Sequence, residues 1–212
     1  MELSSYESIG ILTFPEEPEY PRLTRDVLAE LGEQLSAVES AGCFAGLVIA
    51  ANSHSFATGA ELQEVGALEG FLARQFALEG QALFRRIERF ALPVVAAIRG
   101  FCLGGGLDLA VACHGRVAAY DASFAHPGAS VGIVTGWGGT RHLPRLVGRG
   151  AALQMLLTAE RVPATQAFSC GLVDELTPSA DLVAAAARRA RLIASKTASQ
   201  DFRLGVEGES PA

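Results

Sequence analysis

The sequence predicts a single domain of the α/β class. Short apolar segments rich in β-branched residues alternate along the chain with segments whose apolar residues recur at intervals of three and four. No linker or low-complexity stretch interrupts the 212 residues, a length within the usual range of one domain. We therefore expect one domain over residues 1–204, and we expect the small, polar residues 205–212 to fray.

The individual elements follow from the same patterns in chain order. Continuous apolar runs, typical of strands buried on both faces, predict strands at residues 9–14, 45–51, 93–98, 115–120 and 172–176. Apolar positions at helical spacing predict helices at residues 23–38, 76–89, 140–147, 151–158, 163–171 and 180–196. Two further helices should begin after the turns near residues 59 and 105.

Charge and cysteine spacing argue against several functions. The net charge of −6 disfavours a nucleic-acid surface, which needs clustered Lys and Arg. The four cysteines lack the C-x-x-C pairs of zinc or redox sites, so we expect free thiols and no metal. No apolar run approaches the ~20 residues of a membrane helix. The first residues contain no basic region followed by an apolar segment, so we expect a cytoplasmic protein with no membrane partner.

The turn at residues 104–106, three consecutive glycines between a strand and a helix, carries the functional prediction. Free N–H groups at a helix N-terminus favour negative charge, and glycines let a ligand approach the main chain. A P-loop would need Lys and then Ser or Thr where Leu107 and Asp108 stand, and a dinucleotide fingerprint would need a small residue at Leu109. An oxyanion hole beside Asp108 and a purely structural turn both remain.

These motifs together resemble the crotonase superfamily, also called the enoyl-CoA hydratase/isomerase family. The resemblance covers about residues 9–194 and is most specific in the segment 93–110. The segment 55–62 is similar to the family's F-S-A-G-A-D-L loop and repeats the order of strand, turn and helix. Shorter matching pieces follow in the family's order at residues 131–133, 138–140 and 167–173.

The resemblance implies a crotonase-like spiral of ββα repeats with two roughly perpendicular sheets. The chain would lack much of the helical part with which family members usually end. The resemblance also implies that the backbone amides of Ala60 and Gly105 form an oxyanion hole for a thioester carbonyl, with Gly59 and Gly104 beside them in the substrate site. Two such donors stabilise the negative charge that develops on an enolate oxygen.

The ligand implied by the resemblance is an acyl-CoA thioester, with no separate cofactor because coenzyme A is part of the substrate. Arg22 or Arg25, near the family's first CoA-contacting loop, would meet its phosphates. Family members form homo-oligomers, so the resemblance implies a trimer or hexamer.

The sequence departs from the family at the acid–base positions. Family hydratases use two glutamates, but here Asp108 occupies the first position and Gly128 the second, while Gly136 occupies a third position that some dienoyl isomerases use. A single carboxylate can abstract and return one proton, which favours double-bond isomerisation over standard hydration. Burial would raise the pKa of Asp108 and assist this role. His126 precedes Gly128 by two residues, so on a strand it would share its face and could act as an acid or base.

Several alternatives stay open. Asp108 could merely cap its helix or form hydrogen bonds near the helix N-terminus, where acidic residues are favoured. His126 could be structural, and Trp137 could fill either the pocket or the core. A protein that binds acyl-CoA without catalysis would also keep the glycine turns. A serine hydrolase is suggested by the G-x-S-x-G pattern around Ser130, but no acidic residue lies between that serine and His142, the one later histidine.

Overall fold

The predicted α/β class is confirmed by the computed structural model, which describes the backbone of residues 1–206 and the side chains of residues 1–196. Strands and helices alternate through this range, and the strands form two sheets. The last helix extends to Val206, and residues 207–212, most of the segment predicted to fray, lie outside the described residues. The domain bounds of 1–204 stay a prediction.

The larger sheet is mostly parallel and holds the first strands of the chain. In spatial order its strands are β1 (Glu2–Tyr6), β2 (Ile9–Thr13), β3 (Gly46–Ala50), β4 (Val94–Ile98), β6 (Gly115–Ala119) and β9 (Glu175–Thr177). Only the β1–β2 pair is antiparallel in this sheet of the described chain. Every residue of β3, β4 and β6 is buried, as the continuous apolar runs predict.

The smaller sheet lies next to the glycine turn. Its strands are, in spatial order, β5 (Phe101–Leu103), β7 (Ser123–Ala125) and β8 (Val162–Pro163). A parallel bridge between Ala57 and Cys102 joins the loop that follows β3 to strand β5. The amide of Gly104 donates to the carbonyl of Ala125 at 2.9 Å, so the end of β7 is held against the turn.

Seven α-helices cover the two sheets within the described residues. They are α1 (Arg25–Ala41), α2 (Leu62–Gly66), α3 (Gly70–Glu88), α4 (Gly105–Ala112), α5 (Gly139–Thr158), α6 (Ala164–Ser169) and α7 (Leu182–Val206). Thr24 caps α1 by accepting from the amide of Val27 at 3.3 Å, and Gly42 ends it with a φ of 62°. A φ of 78° at Gly148 breaks α5 between the two predicted helical segments.

The two faces of the larger sheet pack against different partners. Alternate residues such as Ile11, Val48 and Val95 face α7, whose buried alanines allow close approach. The opposite residues of the strands, including Leu47 and Ile49, join a larger core that contains several aromatic rings. No helix within residues 1–206 has both the length and the apolar character needed to span a membrane.

Several predicted boundaries are wrong. The strand β1 was not predicted, because its exposed, serine-rich sequence lacks an apolar run. Helix α3 begins at Gly70 and not at residue 76, since its first turns are largely exposed. The last strand is Glu175–Thr177 and not residues 172–176, because Leu172 and Val173 pack in the core beside α6 before the strand begins.

The assumption of a strand through His126 and Gly128 is also wrong. Strand β7 ends at Ala125, and Pro127–Val131 forms a 3₁₀ turn that Gly132 ends with a φ of 77°. Proline lacks an N–H for continuing a strand ladder and suits the first position of a helical turn. His126 therefore lies at the junction between β7 and this turn.

Candidate active site

A cavity of about 340 Å³ lies at the N-terminus of α4, beside the helices α2 and α3. Its walls come from the 58–60 loop, the first turns of α4, and the segment from His126 to Trp137. Most of the lining side chains are aliphatic or aromatic, and Asp108 and His126 are the ionisable ones within the described residues. Such a cavity suits an apolar ligand with a few polar groups.

The amides of Ala60 and Gly105 come together because their two loops are bonded to each other. The amide of Leu103 donates to the carbonyl of Ala57 at 2.9 Å. Gly59, with a φ of 97°, packs so closely that a Cβ there would lie 3.1 Å from the Gly105 nitrogen. Neither the Ala60 nor the Gly105 amide donates a hydrogen bond to any group in the described chain. Two free donors therefore border the cavity, the second at the positive end of α4.

Asp108 lies one helical turn inside α4 and is 2% exposed. Its Oδ2 accepts a hydrogen bond from the hydroxyl of Thr135, while its Oδ1 has no hydrogen-bond partner. Burial raises the pKa of Asp108 from 3.8 to about 7, and the Thr135 hydroxyl together with the amides of Trp137 and Gly139 opposes this rise. This carboxyl group can therefore exchange a proton near neutral pH.

His126 lies against Asp108. Its Nε2 is 3.4 Å from Asp108 Oδ1, and both atoms are buried with no hydrogen-bond partner in the described chain. Burial lowers the pKa of His126 from 6.5 to about 4, so the ring is neutral at pH 7. The backbone of Gly139 lies over both groups, and a Cβ there would overlap Asp108 Oδ1.

Trp137 forms one wall of the cavity and is also part of the core, so both roles considered for it apply. It is 5% exposed and packs on Phe76 and Phe84 with ring centroids 5.2 and 5.7 Å away. A Cβ at either Gly80 or Gly105 would overlap its indole ring. These two glycines therefore admit the tryptophan between α3 and α4.

The cavity contains no carboxylate at the other two acidic positions of the family. Gly128 lies in the 3₁₀ turn, and a Cβ there would be only 2.7 Å from the carbonyl oxygen of Ile133. Gly136 also lines the cavity, and its carbonyl accepts from Gln81 Nε2 at 2.7 Å. Gly128 thus lacks both a carboxylate and the space for a longer side chain.

The predicted phosphate contacts lie near the rim. Arg22 forms an ion pair with Glu61, and its side chain is 57% exposed. The guanidinium of Arg25 lies 5.3 Å from the ring centroid of Phe76, which lines the cavity. Both cations are thus close to the cavity without entering it.

The serine pattern has no hydrolase geometry. Ser130 lies in the 3₁₀ turn and not at a strand–helix junction, and its hydroxyl donates to the carbonyl of Pro127 at 2.6 Å. His142 instead faces Glu88, with its Nε2 3.9 Å from a carboxylate oxygen. The pairing of a serine with a basic histidine that such enzymes require is absent from the described residues.

Sequence reasoning missed two residues that position the acid. Thr135 donates to the carboxylate of Asp108, and Gly139 leaves room for it. Both lie in the glycine-rich segment 132–139, about thirty residues after Asp108. The glycine content of that segment signals close backbone approach, although it does not identify the neighbour.

The fold and the site define an α/β protein with an apolar cavity whose wall holds one buried carboxyl group and one buried imidazole. The sequence profile of the enoyl-CoA hydratase/isomerase family matches residues 4–204. The chain therefore belongs to this family, and the crotonase resemblance is confirmed.

Relatives and solved structures agree with this assignment. The chain is 37% identical over 195 residues to the crotonyl-CoA hydratase of Syntrophomonas wolfei, covering 92% of this chain and 75% of the relative. It is 34% identical to the short-chain-enoyl-CoA hydratase of Clostridium acetobutylicum, covering 88% of this chain and 72% of the relative. The enoyl-CoA hydratase structure from Bacillus anthracis superposes with a TM-score of 0.81 at 30% identity, covering 94% of this chain and 77% of that one. The structure of DspI from Pseudomonas aeruginosa superposes with a TM-score of 0.83 at 32% identity, covering 93% of this chain and 74% of that one.

Proposed function

We propose that this protein is an enzyme that forms an enolate from an acyl-CoA thioester and shifts its double bond between the 3- and 2-positions. The observation that carries the proposal is the placement of two unbonded amides and one buried carboxyl group around a single apolar cavity. The family membership supplies the thioester as the ligand class.

The reaction needs one oxyanion site and one proton carrier. The thioester oxygen accepts hydrogen bonds from the amides of Ala60 and Gly105, and each such donor contributes ~3 kcal/mol to stabilising the enolate. Asp108, in its charged form, takes a proton from the α-carbon of a 3-enoyl thioester and returns it to the γ-carbon. Its raised pKa favours this exchange, because a base with a pKa near the operating pH can both accept and release a proton.

The remaining parts of the ligand extend away from this centre. The acyl chain contacts the apolar wall formed by Trp137 and α3, and the CoA phosphates lie near Arg22 and Arg25. Association of copies into a homo-oligomer belongs to the same proposal. Exposed apolar side chains at Leu157 on α5 and Phe168 on α6 support it, and light scattering would measure the particle mass.

Purified protein incubated with 3-hexenoyl-CoA tests the activity. We expect conversion to the conjugated 2-enoyl thioester, and we expect the α-protons of butanoyl-CoA to exchange with D₂O. Asp108→Asn should abolish both, by at least about a hundredfold. Asp121→Asn, in the exposed turn after β6, is the matched control and should retain both. Wild-type protein that performs neither reaction would contradict the proposal.

A protein that binds acyl-CoA without catalysis is the second candidate. The glycines at positions 128 and 136, where family enzymes carry acids, favour it. Tight CoA-ester binding with neither isomerisation nor α-proton exchange is the outcome that would establish it.

A further inference from the structure

We propose that His126 is a second acid–base group and that it and Asp108 act as a pair holding one proton, which allows the same cavity to add water to a 2-enoyl thioester. This inference rests on the proposed oxyanion site and extends its chemistry. In this inference the imidazole of His126, two residues earlier in the chain, takes the role of the carboxylate that is missing at Gly128.

The geometry of the pair supports this role. Asp108 Oδ1 and His126 Nε2 are 3.4 Å apart and buried, and neither atom has a hydrogen-bond partner in the described chain. Two acceptor atoms would face each other unpaired unless one carries a hydrogen, because a buried polar atom without a partner is costly. Both residues also line the cavity, so the pair is in contact with its contents.

Three donors face the Asp108 carboxylate besides His126. They are the Thr135 hydroxyl, which bonds Oδ2, and the amides of Trp137 and Gly139, and all three lower the pKa of Asp108. The buried thiol of Cys102 is a further titratable group near Asp108, and burial together with that carboxylate raises its pKa, so it stays neutral. Asp108 itself titrates near pH 7, and His126 only near pH 4. Between these values the two residues therefore hold one titratable proton.

One shared proton is what water addition requires. The oxygen of water bonds to the β-carbon, one of its protons passes to the pair, and the electrons of the double bond move to the thioester oxygen. The proton that the pair held at the start then passes to the α-carbon as the enolate collapses. The pair ends with one proton, so it is regenerated, and water is the only co-reactant.

Hydration of 2-butenoyl-CoA by wild-type protein, His126→Gln, His126→Phe, Asp108→Asn and the Asp108→Asn/His126→Gln double variant tests the pair. Glutamine keeps a hydrogen-bonding group without titrating, and phenylalanine keeps a ring of similar volume. His142→Gln is the matched control, because His142 is a histidine outside the cavity. Thermal melting checks that each variant folds, and α-proton exchange of butanoyl-CoA is followed in parallel.

We expect wild-type hydration and a loss of about a hundredfold or more in each His126 variant. The double variant should be no slower than Asp108→Asn alone, since groups that act as a unit are not additive. Retained α-proton exchange in the His126 variants would show that the oxyanion site and Asp108 still work.

Two outcomes would overturn the inference while leaving the proposed function intact. One is wild-type hydration that survives both His126 substitutions, and the other is wild-type protein that exchanges α-protons but never adds water. Absence of α-proton exchange in wild-type protein would instead refute the proposed function.

Discussion

Replacing Asp108 by asparagine should make the protein more stable than the wild type, by an amount that grows with pH. The folded protein raises the pKa of this carboxyl from 3.8 to about 7, so between these values the folded state binds a proton that the unfolded state has released. Wild-type stability therefore contains a contribution that falls as pH rises through this range. Asparagine has no proton to lose and can keep the hydrogen bond from Thr135.

The size of the effect follows from the pKa change. Each pH unit between the two values costs the wild type ~1.4 kcal/mol, which gives ~4 kcal/mol over the whole range. The difference between Asp108→Asn and wild type should be close to zero near pH 4, rise to about 4 kcal/mol near pH 7, and stay level above it. His126→Gln should show the opposite trend, because the lowered pKa of His126 destabilises the wild type at acid pH, by ~3 kcal/mol below its folded pKa.

Urea unfolding of wild type and both variants, measured at intervals from about pH 4 to pH 8, checks these trends. Subtracting the wild-type curve removes the titration of groups away from Asp108 and His126, which the three proteins share. A difference for Asp108→Asn that does not change with pH would refute the reasoning, since it would mean that Asp108 titrates alike in the folded and unfolded states.

Four further predictions concern activity and packing. Isomerisation by the wild type should increase as pH rises through about 7, because the reaction uses Asp108 in its charged form. Hydration should decrease through the same range, because the pair of Asp108 and His126 loses its proton. The pH profiles of the two reactions would test this, and parallel profiles would contradict it. Gly139→Ala should lower both activities, because its Cβ overlaps Asp108 Oδ1, and the loss should appear in kcat; unchanged kinetics would show that the backbone gives way. Trp137→Ala should lower the free energy of unfolding by ~3–5 kcal/mol, as measured by denaturation. It should also raise kcat/KM for longer acyl chains relative to shorter ones, as measured across a chain-length series. A chain-length profile identical to that of the wild type would contradict the placement of Trp137 along the acyl chain. Arg22→Ala should raise KM for CoA esters about tenfold with little change in kcat, since one charge-assisted hydrogen bond to a phosphate is lost; an unchanged KM would remove Arg22 from the CoA site.

The strands and the glycine turn could be predicted from the sequence because their signals are local. Buried parallel strands produce continuous apolar runs, and the three glycines before Leu107 identify a turn that the backbone of another loop approaches. The meeting of Gly59 with Gly105 was inferred only through the family resemblance, because nothing in either segment alone identifies its partner. The structure brings the two together as that resemblance implies.

The surroundings of the acid were harder to predict. His126 was expected on a strand with Gly128, but Pro127 ends the strand, so the histidine reaches Asp108 by a different geometry. The contact with Thr135 depends on how the segment 132–139 folds back over α4, which is a tertiary effect without periodicity. The prediction missed β1 and placed the start of α3 too late, because solvent exposure weakens the apolar pattern in both segments.

Trp137 has an optical consequence, because it is the single tryptophan of the chain. Its indole packs against the backbone of Gly105 and forms part of the cavity wall, so a thioester seated at that amide would change the polarity around the ring. Intrinsic fluorescence excited selectively at tryptophan would then report occupancy of this cavity alone. The protein thus contains a built-in probe with which ligand titrations can be followed without a label, in active and inactive variants alike.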